Sequence, residues 1–226
     1  MATTLVIEEG VQIPMDLRSL ADFRRWALSD EFPERGRIDY LAGRIEVDMA
    51  PEDFFCHGTL KAEVAAVLQS WIKRRRLGYL VIDCTRISSV LADMSAEPDI
   101  VFISHESLAE GRARLIPAAS GKPGHYVEVE GAADLIVEIV SDSSVAKDTR
   151  RLPKAYFKAG VREFWLADAR RDPPAFRIHR RGKSGFRAVE PDAKGFQPSA
   201  VFGRRFRLDG QLDAEGHWEF DLHHRE

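Results

Sequence analysis

Cysteine is scarce in this sequence: Cys56 and Cys84 are the only two in 226 residues, and they share no C-x-x-C spacing. Two thiols cannot build a disulfide framework in a chain this long, so the expectation is reduced cysteines in a cytoplasmic protein. Long apolar runs are missing as well. None approaches the roughly 18 residues that a membrane span requires, and residues 1–9 reach acid before any stretch long enough for a signal peptide. There is no membrane partner to expect. Nor is there a large excess of either charge: 33 Lys+Arg against 36 Asp+Glu give a formal net charge of −3, so bulk charge does not point to nucleic acid. Internal repeats and linker-like stretches are also lacking, and the chain reads as a single domain over 1–226. What is present, 44% hydrophobic and 31% charged residues, is a globular composition that excludes a collagenous or disordered chain.

Local cationic clusters stand against the balanced total: 73–76, Arg150-Arg151, Arg170-Arg171, Arg180-Arg181 and Arg204-Arg205. Each taken singly reads as a solvated helix end or turn. Ser19 followed by Asp22 imitates a capping box and opens a helix over about 19–28. Two short runs around Ala42-Gly43 read as a hairpin. Leu60, Val64, Val67, Leu68, Trp71 and Ile72 give one apolar face to a helix over 57–76, whose cationic end suits the negative pole of the helix dipole. Strands follow at 79–83 and 99–103. The Gly- and Pro-containing stretch 116–130 reads as a surface loop. Residues 135–140, apolar almost throughout, read as a central strand covered on both faces. A helix over about 146–159 ends at Gly160, with Pro153 kinking it or marking a second start. Strands at 163–167, 176–179 and 186–189 lead into short apolar runs.

Glu138 is the residue that composition does not explain. It interrupts the apolar run 135–140, where an unpaired carboxylate is costly enough that it must be hydrogen-bonded, paired, protonated or bound to a cation. Asp99 follows Pro98 at the head of a second apolar strand, and acids on neighbouring strands can converge on one hard cation that takes oxygen ligands. Read alone, Glu138 could equally be matched to an internal arginine, and Asp99 could be a turn acid. Lys147 falls in the first turn of the helix after Glu138, where the dipole does not favour a cation; a local rule broken near two acids suggests a role at a site.

The ordered set Arg37-Ile38-Asp39-Tyr40-Leu41-Ala42-Gly43-Arg44-Ile45, His57, Glu97-Pro98-Asp99-Ile100-Val101, Asp134 to Ser141, Tyr156 and Ala159 to Asp168 resembles the Uma2 family of the PD-(D/E)XK nuclease superfamily. The resemblance covers roughly 15–190; a β-rich tail occupies about 191–226. It implies an α/β, restriction-endonuclease-like fold, a mixed β-sheet flanked by helices with a small β-rich C-terminal extension. On its pattern Asp99 and Glu138 are the metal-binding and catalytic acids. Asp39 stands where the family usually has glutamate, and His57 matches the histidine that opens a long helix. The superfamily lysine would fall at Val140, and the family's alternative position on the next helix is Leu152. Lys147 is therefore the first replacement, with Lys154 and Arg151 as alternatives.

The expected chemistry is endonucleolytic phosphodiester hydrolysis with Mg²⁺ or Mn²⁺ held by Asp99 and Glu138 and with Lys147 orienting the attacking water. The expected partner is nucleic acid, DNA ahead of RNA, and the resemblance implies a homodimer. The rival expectation is a catalytically degenerate nuclease fold that binds nucleic acid or a protein without cutting, supported by Val140 at the lysine position.

Overall fold

The computed structural model describes residues 4–8, 11–119 and 121–226; residues 1–3, 9–10 and 120 lie outside the described set. In chain order the elements are β1 (Thr4–Glu8), β2 (Val11–Pro14), α1 (Leu20–Ala27), β3 (Arg37–Leu41) and β4 (Arg44–Asp48). A wide helical turn, Phe54–Thr59, runs into α2 (Leu60–Arg75). Next come β5 (Gly78–Ile82), β6 (Arg86–Ser89), β7 (Met94–Ala96), β8 (Ile100–Ser104), α3 (His105–Ala109), β9 (Ala113–Pro117), β10 (Tyr126–Gly131) and β11 (Leu135–Ile139). A second wide turn, Lys147–Arg151, opens α4 (Leu152–Ala159), and β12 (Glu163–Asp168), β13 (Ala175–Arg181) and β14 (Phe186–Ala188) follow. The tail forms β15 (Gln197–Ser199), β16 (Arg204–Leu212) and β17 (Trp218–Arg225).

A six-stranded sheet in the order β14-β13-β12-β11-β8-β5 carries the core. Strands β11 and β12 pair in parallel across the α4 crossover, and the remaining pairings are antiparallel. Alternation along the strands divides side chains between two faces. Leu135, Val137, Ile139, Ile100 and Phe102 pack with Leu60, Val64, Leu68 and Ile72 of α2. Ile136, Val101 and Ile103 pack on the other side with Leu152, Tyr156 and Ala159 of α4. A fully covered strand needs apolar residues on both faces, which is why β11 reads as an unbroken run. The tail sheet β15-β16-β17 joins the α2 side through Phe202, Phe206, Phe220 and Leu222.

Helix boundaries follow local chemistry. Ser19 Oγ accepts the Asp22 N–H at 3.1 Å and donates to Asp22 Oδ2 at 2.7 Å, a reciprocal cap on α1. Pro153 stands in the first turn of α4, where the missing N–H costs nothing, so it starts a helix and does not bend one. Gly160 ends it at φ 96°, a left-handed conformation suited to glycine.

A second six-stranded sheet, in the order β4-β3-β7-β6-β10-β9, departs from the sequence reading. The stretch 116–130, read as a surface loop, instead contains strand β10, which pairs with β9 and β6. Strands β6 and β7 are only four and three residues long and carry serines and an arginine among few apolar positions, too little pattern to announce them. They are held from within by Arg86, whose Nη1 donates to Ile38 O at 3.0 Å, and by Ser88 Oγ donating to Ser95 Oγ at 2.7 Å.

Candidate functional site

The two acids singled out from the sequence come from adjacent strands. Asp99 immediately precedes β8, Glu138 lies in β11, and both side chains are buried. The Asp99 N–H faces Glu138 Oε2 at 3.4 Å, and the Ile139 N–H donates to Asp99 Oδ2 at 2.7 Å. The acids are thus neighbours through the sheet ladder itself, not through flexible loops.

Their surroundings differ. Arg37 Nη2 donates to Asp99 Oδ1 at 2.9 Å, Lys61 Nζ lies 3.5 Å from the same oxygen, and His57 Nε2 lies 3.6 Å from Oδ2. Burial alone would raise the Asp99 carboxyl; His57, Arg37 and Lys61 outweigh it and hold the group well below the usual range. Glu138 receives the Tyr156 hydroxyl on Oε1 and no ion pair from a described residue. Burial, reinforced by the charges of Asp99 and Asp148, pushes it well above the carboxylate range. Two adjacent acids with opposite displacements form an asymmetric pair.

Asp39 and Lys147 complete the buried layer. Asp39, on β3 of the second sheet, accepts the Glu97 N–H at 2.9 Å and the Lys147 ammonium at 3.1 Å. Lys147 would be pulled down by burial, yet Asp39 and Glu138 raise it, so it is charged. Beside it Asp148 is buried, with Ser144 Oγ donating to Oδ2, and burial lifts it to about 6. Lys154 points elsewhere: it is exposed on the opposite side of α4. Arg151 is engaged with Glu46 at 2.7 Å. Val140 is buried, its N–H donating to Ala167 O at 2.9 Å, and Leu152 packs into the α4-side core.

Next to this buried layer lies a cleft of about 550 Å³ lined in part by Arg37, Glu52, His57, Asp83 and Glu97. Glu52, His57 and Asp99 each offer a ligand atom, all lying within 4.8 Å of one another. The His57 imidazole would be lowered by burial, but Asp99 and Glu52 raise it to about 9, so it is protonated at neutral pH. The neighbouring His57, with Nδ1 at 3.1 Å from Glu52 Oε2, is in turn the main reason that Glu52 falls to about 2. Lys61 bridges Glu52, at 2.8 Å and 2.9 Å, and Asp83, at 2.8 Å.

Arg37, Glu52, Lys61 and Asp83 were not singled out from the sequence. Two signals were present: Arg37 lies two residues before Asp39 and so on the same strand face, and Lys61 lies four after His57, one helical turn on. Glu52 and Asp83 sit in loops whose register nothing local specifies.

A family model described as "Putative restriction endonuclease", Uma2, matches residues 20–209. The chain belongs to the Uma2 family. Among solved structures, this Uma2 chain is similar to a protein of Anabaena variabilis described as "a putative nuclease belonging to DUF820". Identity is 20%, the TM-score is 0.59, and the match covers 82% of this chain and 90% of that one, a likeness of fold. None of the curated proteins matches the chain. The Uma2 architecture here is the restriction-endonuclease-like α/β fold, a mixed sheet with helices on both faces and a small β tail. No helix among the described residues is long and apolar enough to cross a membrane.

Proposed function

We propose that this Uma2 protein is a metal-dependent endonuclease acting on nucleic acid, DNA ahead of RNA, with Asp99 and Glu138 holding Mg²⁺ or Mn²⁺. Glu138 carries the reading. It is a fully buried carboxylate beside a second, ionised carboxylate, and its contacts are the Tyr156 hydroxyl and one long N–H interaction. An uncompensated charge there is expensive, so the group takes either a proton or a cation. The donor set fits a hard divalent ion: carboxylate oxygens from the adjacent Asp99 and Glu138, with Glu52 at the cleft side. When bound, such an ion polarises the scissile phosphate and acidifies a water molecule.

The chain's own groups supply the rest. Lys147, held by Asp39, offers a buried positive charge beside Glu138 that can orient the attacking water or offset charge developing on phosphate. Arg37 and protonated His57 face the cleft and can donate to phosphate oxygens. The tail, packed into the α2-side core, supports reading 1–226 as one nuclease unit.

The test is incubation of labelled DNA and RNA with purified protein in Mg²⁺, Mn²⁺ or EDTA, alongside Asp99→Asn and Glu138→Gln. Metal-dependent cleavage lost in both variants is the expected result. Wild-type protein that binds metal by calorimetry but cuts neither substrate would sink it. That outcome would favour a degenerate binding module, a reading with one observation behind it: Arg37, Lys61 and His57 already surround Asp99 as an incoming cation would.

A further inference from the structure

On the far side of α4 from Tyr156 lies a groove of about 760 Å³. One wall is α4 with the wide turn that opens it, presenting Arg150 from the turn and Lys154 and Lys158 from the helix. Lys154 and Lys158 are four apart in α4, so they share a face and follow one another at about 6 Å, from the 1.5 Å rise per residue. All three are exposed, and among the described residues none is in an ion pair. The opposite wall is the hairpin β13–β14, whose tip closes through a Gly182 N–H bond to Gly185 O at 2.8 Å. A side chain at Gly182 would meet Gly185 O at 2.9 Å and Arg187 Nε at 3.0 Å, so the tip is tightly folded. The floor is aromatic. Phe157 and Phe186 meet edge to face at 5.7 Å, and Phe186 lies over Phe164 at the same centroid distance. His179 stands against Phe164 at a centroid distance of 5.6 Å. No acidic residue lines the groove.

Structure alone accounts poorly for this combination. Clustered cations with no acid between them repel one another, and partly exposed phenylalanines cost free energy. An occupant with spaced negative charge and a flat π surface would satisfy both. We propose that the groove binds a single-stranded segment of nucleic acid, with successive phosphates on Arg150, Lys154 and Lys158 and an unstacked base against Phe157 and Phe186. This rests on the nuclease reading above and narrows its substrate to nucleic acid with an unpaired segment. Duplex fits less well, because its bases are hidden in the stack and offer no face to the aromatic floor.

Binding is measured by anisotropy of a labelled 15-nucleotide single-stranded DNA and of its duplex, with the full chain in EDTA so that cleavage plays no part. The single strand is expected to bind more tightly than the duplex. Lys154→Glu/Lys158→Glu should weaken it at least tenfold and flatten the salt slope by about 1.4, two phosphate contacts at ~0.7 each. Phe186→Ala, with folding checked by thermal melting, should weaken the single strand and leave the duplex unchanged. A control with the same charge change elsewhere, Lys73→Glu/Lys122→Glu, should leave affinity unaltered. Tighter binding to duplex, or affinity and salt slope unchanged by Lys154→Glu/Lys158→Glu, overturns the proposal. Absence of cleavage in metal with groove binding intact overturns the nuclease reading and leaves the groove standing.

Discussion

Lys147 Nζ donates to Asp39 Oδ2 at 3.1 Å, joining the turn after β11 to a strand of the other sheet, 108 residues earlier in the chain. Both groups are buried, so neither has water to fall back on if the other is lost. Removing one partner of such a pair typically costs about 3–5 kcal/mol. Lys147→Met should lower stability by that order in urea unfolding. The double variant Lys147→Met/Asp39→Asn should recover a large part of the loss. Additive losses would mean that the contact is not energetically coupled.

Glu138 gives a stability readout that is independent of cleavage. A ligand that binds only the folded state raises the melting temperature by mass action. Mn²⁺ at saturating concentration should raise the wild-type Tm and EDTA should reverse the rise. Glu138→Gln, which keeps the shape but removes the charge, should show a much smaller shift. An equal shift in both proteins would place the ion elsewhere.

Asp134 contributes to the acid limb of the stability curve. It accepts the Ser104 N–H at 2.7 Å, Ser107 Oγ at 2.6 Å and Arg162 Nη1 at 3.2 Å. Burial raises this carboxyl, but the Ser107, Ser104 and Arg162 donors outweigh it, so the folded value lies below the ordinary 3.8. A depressed folded pKa gives stability that is fully present above the unfolded value and lost as pH falls through the folded one. Asp134→Asn should therefore cost about 1–3 kcal/mol at pH 7. The gap should narrow below pH 3.8 in acid-unfolding curves. A gap that stays constant with pH would contradict the assignment.

Glu163 ties the main sheet to the tail. Its carboxylate accepts Trp165 Nε1 at 2.7 Å, Ser199 Oγ at 2.6 Å and the Ala200 N–H at 2.7 Å. Glu163→Ala strands those buried donors, at about 1–3 kcal/mol for each left unsatisfied. The expected signature is faster amide exchange over 197–225, together with a shifted Trp165 emission. Unchanged exchange in the tail would show that apolar packing alone holds it.

Much of this arrangement can be read from the chain where the physics is local. The α2 face from Leu60 to Ile72 repeats at helical spacing, and β11 is apolar enough to announce a strand covered on both sides. Asp99 and Glu138 stand out for the converse reason, since a carboxylate within such a strand demands a partner. Beyond its β3–β4 hairpin, the second sheet could not be read in this way. Its strands β6 and β7 are Ser- and Arg-bearing, and their burial depends on Arg86 finding Ile38 O 48 residues away. The cations around Asp99 are hidden similarly: Lys61 looks like any helix-surface lysine until Glu52 and Asp83 fold over it. The turn opening α4 separates Lys147 from Lys154, because only the wide turn Lys147–Arg151 is aimed at the acids.

The centre is gathered from contacts of very unequal reach. Arg37 meets Asp99 across 62 residues, Lys147 meets Asp39 across 108, and the Leu222 N–H, 159 residues from Glu63, holds the helix that presents His57 and Lys61. The shortest stretch that contains all of these partners runs from Arg37 to Leu222, most of the chain. A growing chain acquires Arg37, His57 and Lys61 before either acid, whereas Lys147 and the Leu222 contact follow both. The acids therefore emerge with their cations already made, and the arrangement is finished from the C-terminal side, when the tail locks the helix that presents them.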